Sequence, residues 1–501
     1  MSKLNKDILF LIFEELQKDS KSLFSCLMIN RFWCETVIPI LWRNPWCYND
    51  INYSNKNSLF IIISYYLFND IKEFITNQEI KLSLSSNKLI LFDYLSYCRS
   101  INIKIIDMII SIGTSLTYNQ FVLQQNFYHL FIKKCPELKY FDMKLIKHQI
   151  FYFPEAKIRL ESLCELYCDT SINSSYFYGL SQSCQYIQKL IINNIDSKPN
   201  HGIAKLIEVQ RNLKHFEWND DIDYDYLTED PYEKIFLALE KKADSLNYLR
   251  VYFQYIEGID HILLQQILSK FYKLKILIID DFFFFTEEQL EKLKLQVYND
   301  LEILNIEWNK LNVISSIIEN GGRSLKKILF RPYDIIECEY GSFNKNSLNF
   351  IRKIYENCPS IEYLSIPFSP SKEHFTEFEK LLKICKNLKS LLLVICNMDK
   401  IETIEEIYES GEILLKILIR SELINLKEIR FYDDFKFSLE SLEEFLEKWF
   451  DKSKLSIFTS DSIYEEENYK NLINKYKRIG IIKDFKHSLL ISEINYNFNI
   501  L

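Results

Sequence analysis

The chain has 501 residues, room for about three domains or one long repeat array at roughly 100–200 residues per domain. Hydrophobic residues make up 48% and charged residues 26%, with only 9 Gly and 10 Pro, which excludes disordered, collagen-like and Gly/Pro-linker chains. A net charge of −8, from 61 basic and 69 acidic residues without long single-sign blocks, excludes phosphate-backbone binding as the main task, so no nucleic-acid partner is expected. The 12 cysteines are too few for a disulfide scaffold, and the closest pair, Cys164 and Cys168, has no histidine at zinc-ligand spacing. Reduced buried thiols are expected, with no metal and no cofactor. Lys3, Lys6 and Asp7 make the start too charged for a secretory leader. The longest apolar run, residues 59–68, is short of the roughly 18–20 residues of a membrane span. No membrane partner is expected, and the location is cytoplasmic or nuclear.

Asn5 can cap a first helix whose one face carries Ile8, Leu9, Ile12, Phe13 and Leu16. Asp19-Ser20 offers a second cap before Leu23, Phe24, Leu27 and Met28. Residues 31–37 make a third short helix, stopped before Pro39 and followed by Leu41 and Trp42. Three helices in so few residues bury little core, so they need the rest of the chain or a partner.

The stretch from Leu4 to Leu16, then Ser22 to Trp33, then Leu41-Trp42-Arg43, resembles the F-box. Asn5 stands where proline is usual and Asn30 where cysteine is common, and neither change removes apolar surface. The resemblance covers under a tenth of the chain. It implies docking on the Skp1-like linker subunit of a cullin ubiquitin-ligase complex through Leu4, Ile8, Leu9, Ile12, Phe13, Leu16, Leu27, Trp33, Leu41 and Trp42.

Residues 44–57 look like a linker. Helices are expected over 59–74, 88–96, 103–112 and 120–133, as a helical linker or as divergent capping repeats. From residue 135 one phrase recurs: an aliphatic anchor, two residues, a second apolar residue, one residue, a third. It starts at Leu138, Leu163, Ile187, Leu213, Leu246, Leu274, Leu301, Leu325, Ile361, Leu388 and Leu426, with a weaker twelfth copy at Leu455 and Phe458. Its alternating half has strand period, and helical patterns lie between copies over 233–241, 261–270, 287–293, 348–357 and 375–386. A strand and a helix every 24–28 residues is the leucine-rich-repeat period, in which stacked units share one core. Cys135, Cys184, Cys358 and Cys385, three residues before their anchors, suit the tight helix-to-strand corner. Asparagine or cysteine eight residues after the anchor occurs only as Asn309 and Cys396, so no regular asparagine ladder is expected. The whole chain resembles members of the large F-box families of fungi.

No glycine-rich nucleotide loop, nucleophile elbow or His-Glu-x-x-His occurs, and the seven histidines are scattered, so no catalytic residue is assigned. The run Asp220, Asp221, Asp223, Asp225 lacks the glycine and terminal glutamate of a calcium loop, and Phe282 to Phe285 suits a buried corner. The expected fold is an α/β solenoid: a three-helix F-box at 1–45, a helical connection at 46–134, and an irregular leucine-rich-repeat horseshoe at 135–460. The horseshoe has parallel inner strands and outer helices, with a C-terminal cap or tail at 461–501.

The expected function is a non-catalytic substrate-recognition adaptor of a Skp1–cullin–F-box ubiquitin ligase; the alternative is a repeat scaffold unconnected to ubiquitin. Target contacts are expected from positions 3, 5 and 7 of the phrase, above all Tyr248, Arg250, Tyr252, Asn305, Glu307, Arg331, Tyr363, Arg430 and Tyr432. The target protein itself is not legible.

Overall fold

The computed structural model describes residues 5–488 except 18, 48–55, 68–89, 115, 197, 223–228, 255–260, 281–284, 308–309, 331–342, 396–402, 433–435 and 450–451. Leu4, Asp223, Asp225, Phe282, Phe283, Phe284, Asn309, Arg331 and Cys396 therefore lie outside the described residues. The chain forms two compact units, Met1–Lys242 and Ala243–Leu501.

The first unit opens with helices α1 (Lys6–Glu15), α2 (Ser20–Leu27) and α3 (Arg31–Arg43). Asn5, Asp19 and Asn30 cap them, each accepting a backbone N–H of the first turn on its side-chain oxygen. Asn5 and Asn30 are thus both helix caps. Helix α3 does not stop before Pro39 but carries it inside. Proline removes one helical hydrogen bond there, and burial of Val37, Ile38, Ile40, Leu41 and Trp42 outweighs that loss. Residues 56–67 are helical, and further helices span Ile103–Gly113 and Thr117–Lys134. Of the helix expected over 88–96, only Tyr94–Tyr97 is helical among the described residues.

Five parallel strands follow in chain order: β1 (Ser100–Asn102), β2 (Tyr140–Asp142), β3 (Glu165–Asp169), β4 (Lys189–Asn194) and β5 (His215–Asp220). Strand β1 belongs to a copy of the phrase that starts at Cys98 and continues through Ile101 and Ile103, all buried. A cysteine in the first anchor hid it. The ladder of strands therefore begins well before residue 135.

The second unit repeats the arrangement with β6 (Tyr248–Tyr252), β7 (Ile276–Asp280), β8 (Ile303–Glu307), β9 (Lys327–Leu329) and β10 (Tyr363–Phe368). It continues through β11 (Ser390–Ile395), β12 (Glu428–Tyr432), β13 (Leu455–Thr459) and β14 (Ile482–His487), past residue 460. All neighbours are parallel, and helices lie between them as the solenoid reading requires. Leu249, Leu277, Leu304 and Leu391 are fully buried anchors. The twelfth copy is shifted by one residue: Ile457, not Phe458, pairs with Ile429 and faces the core. A register irregularity between Leu455 and Ser456 accompanies the shift.

Cys135, Cys184, Cys358 and Cys385 each close the preceding helix, donating a backbone N–H to the carbonyl four residues back at 2.7–2.9 Å, and each is buried. Burial pushes the Cys184 and Cys385 thiols up to about 12, so both stay protonated.

The corners after the strands differ between the units. In the first, Thr170 Oγ1 donates to Asn194 Oδ1 at 3.1 Å, and Asn194 Nδ2 donates to Asp220 Oδ1 at 2.9 Å. Trp218 Nε1 and Tyr232 OH also donate to the Asp220 carboxylate, at 2.7 and 2.8 Å. This short polar ladder sits seven residues after the anchor, one before the position at which a regular asparagine ladder would stand. In the second unit, aromatic rings fill the same place: Phe253 stacks on His261, and Phe368 packs among His374, Phe375 and Phe378.

Asp220→Ala should strand three buried donors and cost about 3 kcal/mol or more, read as a lowered urea midpoint, whereas a neutral result would remove the ladder's structural role. A second expectation concerns His374, buried with Ser347 Oγ at 2.7 Å from Nε2 and Ser371 Oγ at 2.8 Å from Nδ1. Burial, aided by Arg352, lowers its pKa from 6.5 to about 4. Between those values the unfolded chain binds more protons than the folded one, so this group's contribution to stability falls as pH drops from 6.5 towards 4. Denaturation at a series of pH values should show this slope, and His374→Gln should flatten it.

Candidate interaction surfaces

Two surfaces follow from this framework. The first is built by α1–α3. Leu9, Phe13, Leu23 and Val37 form their shared core, Trp33 meets Phe13 edge-on at 5.2 Å, and Arg43 pairs with Glu14 at 3.0 Å across α1 and α3. Once that core is filled, apolar side chains remain outside: Ile8, Leu11 and Ile12 on α1, Phe24 on α2, then Met28, Ile29 and Phe32. Met28 is 86% exposed and Leu11 62%. Such a concentration of exposed apolar surface on a small helical unit is of the kind found at binding faces.

The other side of these helices is tied to the strands. Trp42 packs on Tyr94 with ring centroids 4.6 Å apart. The backbone N–H of Arg99 donates to the carbonyl of Arg43 at 2.9 Å, and Trp46 Nε1 donates to the carbonyl of Ser100 at 3.0 Å. Trp46, expected in a linker, is buried and meets Phe131 edge-on at 5.6 Å.

Of the residues expected on the docking face, Ile8 and Ile12 are exposed, and Leu16, Leu27 and Trp33 are half-buried. Leu9, Phe13, Leu41 and Trp42 are buried and support the face from beneath, because the three helices need them for their own core and their join to Tyr94. Leu11, Phe24, Met28, Ile29 and Phe32, outside that expected set, are exposed beside them. For Leu11 the signal is that residues 8–13 are apolar without a break, more than one buried stripe of a helix can use.

The second surface is the solvent side of the strands. In the first unit Tyr140, Glu165, Lys189 and His215 form one row beside Asp142, Tyr167, Ile191 and Glu217. The Tyr140 and Tyr167 rings lie 5.0 Å apart, and Lys189 and Lys144 reach over Tyr167 at 5.6 and 5.9 Å. His215 Nε2 meets Glu217 Oε1 at 2.5 Å, and burial raises the Asp142 carboxyl above its ordinary value.

In the second unit Tyr248 and Arg250 on β6 are half-buried and Tyr252 is exposed. Asn305 is buried, contrary to expectation, in register between Ile278 and Leu329, which are also buried. The same row stays closed at Ser365 and Leu392. Glu307 ends β8. Tyr363 is half-buried with Lys327 Nζ 5.0 Å over its ring, and Arg430 lies over Phe458 while pairing with Glu428 at 2.7 Å. Tyr432 is half-buried beside them on β12. The second unit therefore offers β6 and β12–β13 as outward polar patches, with the Lys327–Tyr363 pair and a buried row from Ile278 to Leu392 between them.

Among the described residues, no three His, Cys, Asp or Glu side chains come together to hold a metal ion. No described helix is long and apolar enough to cross a membrane. No family model and no curated protein matches this chain. Among solved structures, the crystal structure of the Rad7 and Elc1 complex in yeast is similar over 79% of this chain and 92% of that chain, with 11% identity and a TM-score of 0.37.

Proposed function

We propose that the chain is a non-catalytic adaptor of a Skp1–cullin–F-box ubiquitin ligase. In this reading the α1–α3 face holds the Skp1-like linker subunit and the outward strand positions hold a protein target. The observation that carries the reading is the exposed apolar set on α1–α3, together with the F-box-like order of residues from Ile8 to Trp42. The chain would contribute proximity rather than chemistry, bringing target lysines to a charged conjugating enzyme. Tyr252 and Arg430 are the residue types that dominate binding interfaces, and they mark where the target would bind in the second unit.

Ile12→Asp combined with Met28→Asp places two charges in the proposed interface without touching the helical core. Co-purified Skp1 should fall on the order of 100-fold, from a loss of about 3 kcal/mol, while the thermal melt stays unchanged. Phe13→Ala should instead destabilise the helices by about 3–5 kcal/mol. Undiminished Skp1 recovery by the double variant would overturn the assignment and leave α1–α3 as a cap of a repeat scaffold.

A further inference from the structure

In the second unit the helices Lys372–Ile384 and Ile404–Arg420 part to leave a cavity of about 610 Å³ between them. One wall is Lys372, Phe375, Thr376 and Glu379, spaced i, i+3, i+4, i+7. The other runs from Glu406 through Glu409, Ile413 and Ile417 to Arg420, again one face of a helix. Gly411 lies on the opposite face of that helix. A Cβ there would meet the carbonyl oxygen of Lys436 at 2.1 Å, so glycine lets the longer helix lie close against residues 436–437.

The floor is apolar. Phe375 and Ile417 are buried at the base, and Ile413 is 37% exposed above them. The charges at the two ends differ in sign and availability. Glu379 is paired with Lys383 and Lys416 with Glu412, whereas Lys372, Glu406, Glu409 and Arg420 have no ion-pair partner among the described residues. That leaves the two glutamates in excess over Lys372 towards the start of the longer helix and Arg420 at its end. Glu409 and Arg420 lie about 16 Å apart along the helix axis at 1.5 Å per residue, close to three turns.

We propose that this groove binds an amphipathic helix of a partner protein, about three turns long. Its apolar stripe would cover Phe375, Ile413 and Ile417, with a basic C-terminal end at Glu409 and an acidic N-terminal end at Arg420. That polarity matches what a helix prefers at its own ends and sets the guest antiparallel to Ile404–Arg420. The groove lies wholly within residues 370–420, so its use does not depend on the reading of α1–α3.

The test uses the full chain and a labelled helical peptide of four turns. The peptide carries leucines at i, i+3, i+4 and i+7, glutamates in its first turn and lysines in its last. Fluorescence anisotropy should show saturable binding in the micromolar range. Ile413→Glu should weaken it at least about 10-fold with an unchanged circular dichroism melt. Glu409→Lys should weaken it too, and a peptide with glutamates in place of the C-terminal lysines should restore binding to that variant alone. Absence of binding, equal binding by wild type and Ile413→Glu, or failure of the charge swap would overturn the proposal. So would concentration-dependent dimerisation of the wild type that Ile413→Glu abolishes, which would assign the groove to a second copy of this chain.

Discussion

No repeat in this chain can cover its own apolar anchors. Leu277 and Ile279 on β7 are fully buried because β6 and β8 stand beside them in register and the following helix closes the layer. Every internal repeat is thus completed by its neighbours, and every terminal strand presents an edge of unpaired backbone groups. The ends answer this differently. At β1 the carbonyl of Arg43 and the indole of Trp46 take up backbone groups at the start of the strand. At β14 the outward side chains are Lys483, Asp484 and Lys486, exposed charges of the kind that discourage further strands from adding.

The turn out of each strand poses a second problem, since the chain must leave the sheet without burying unpaired polar backbone. The first unit solves it with hydrogen bonds: Thr170 Oγ1 accepts the backbone N–H groups of Ile195 and Asp196, and Asn200 Nδ2 donates to the carbonyls of Thr170 and Ile172. The second unit fills the space with rings around Phe253, Phe368 and Phe437 instead. A polar ladder requires a fixed partner in each adjacent repeat, whereas stacked rings tolerate insertions of different length. The ladder residues follow the anchors at 163, 187 and 213, which are evenly spaced, whereas the spacings from 325 to 361 and from 388 to 426 are longer.

The core was legible because its signal is periodic. Leu, Ile and Phe at fixed offsets announced eleven strands, and cysteines at the corners announced where helices end. What failed to show has particular causes. A cysteine at position 98 broke the expected letter of the anchor while keeping its apolar volume. Register at β13 slipped by one because Leu455 and Phe458 mimic the phrase, and a shift of one residue exchanges the two faces of a strand. Asn305 falls at an outward position of the phrase, but Ile278 and Leu329 beside it on β7 and β9 are apolar and all three are buried together. On α1–α3 the problem was surplus rather than absence. Both faces of α1 are apolar, so periodicity alone cannot say which residues serve the helices' own core and which face outward.

That surplus acquires meaning from the join behind it. A small helical unit on a loose tether could satisfy its apolar face by folding back on the chain. Here α3 runs through Pro39 to Arg43 without interruption, and Trp42 and Trp46 fix its end against Tyr94, Phe131 and the backbone of β1. Leu11 and Met28 stay exposed because the helices already have a packing partner, which meets their opposite side. Within the first unit, a molecule held by that face would keep a set distance and angle to the strand row of Tyr140, Tyr167 and Glu217. An adaptor that works by proximity needs this rigidity, since effective concentration collapses when the two bound partners can swing freely.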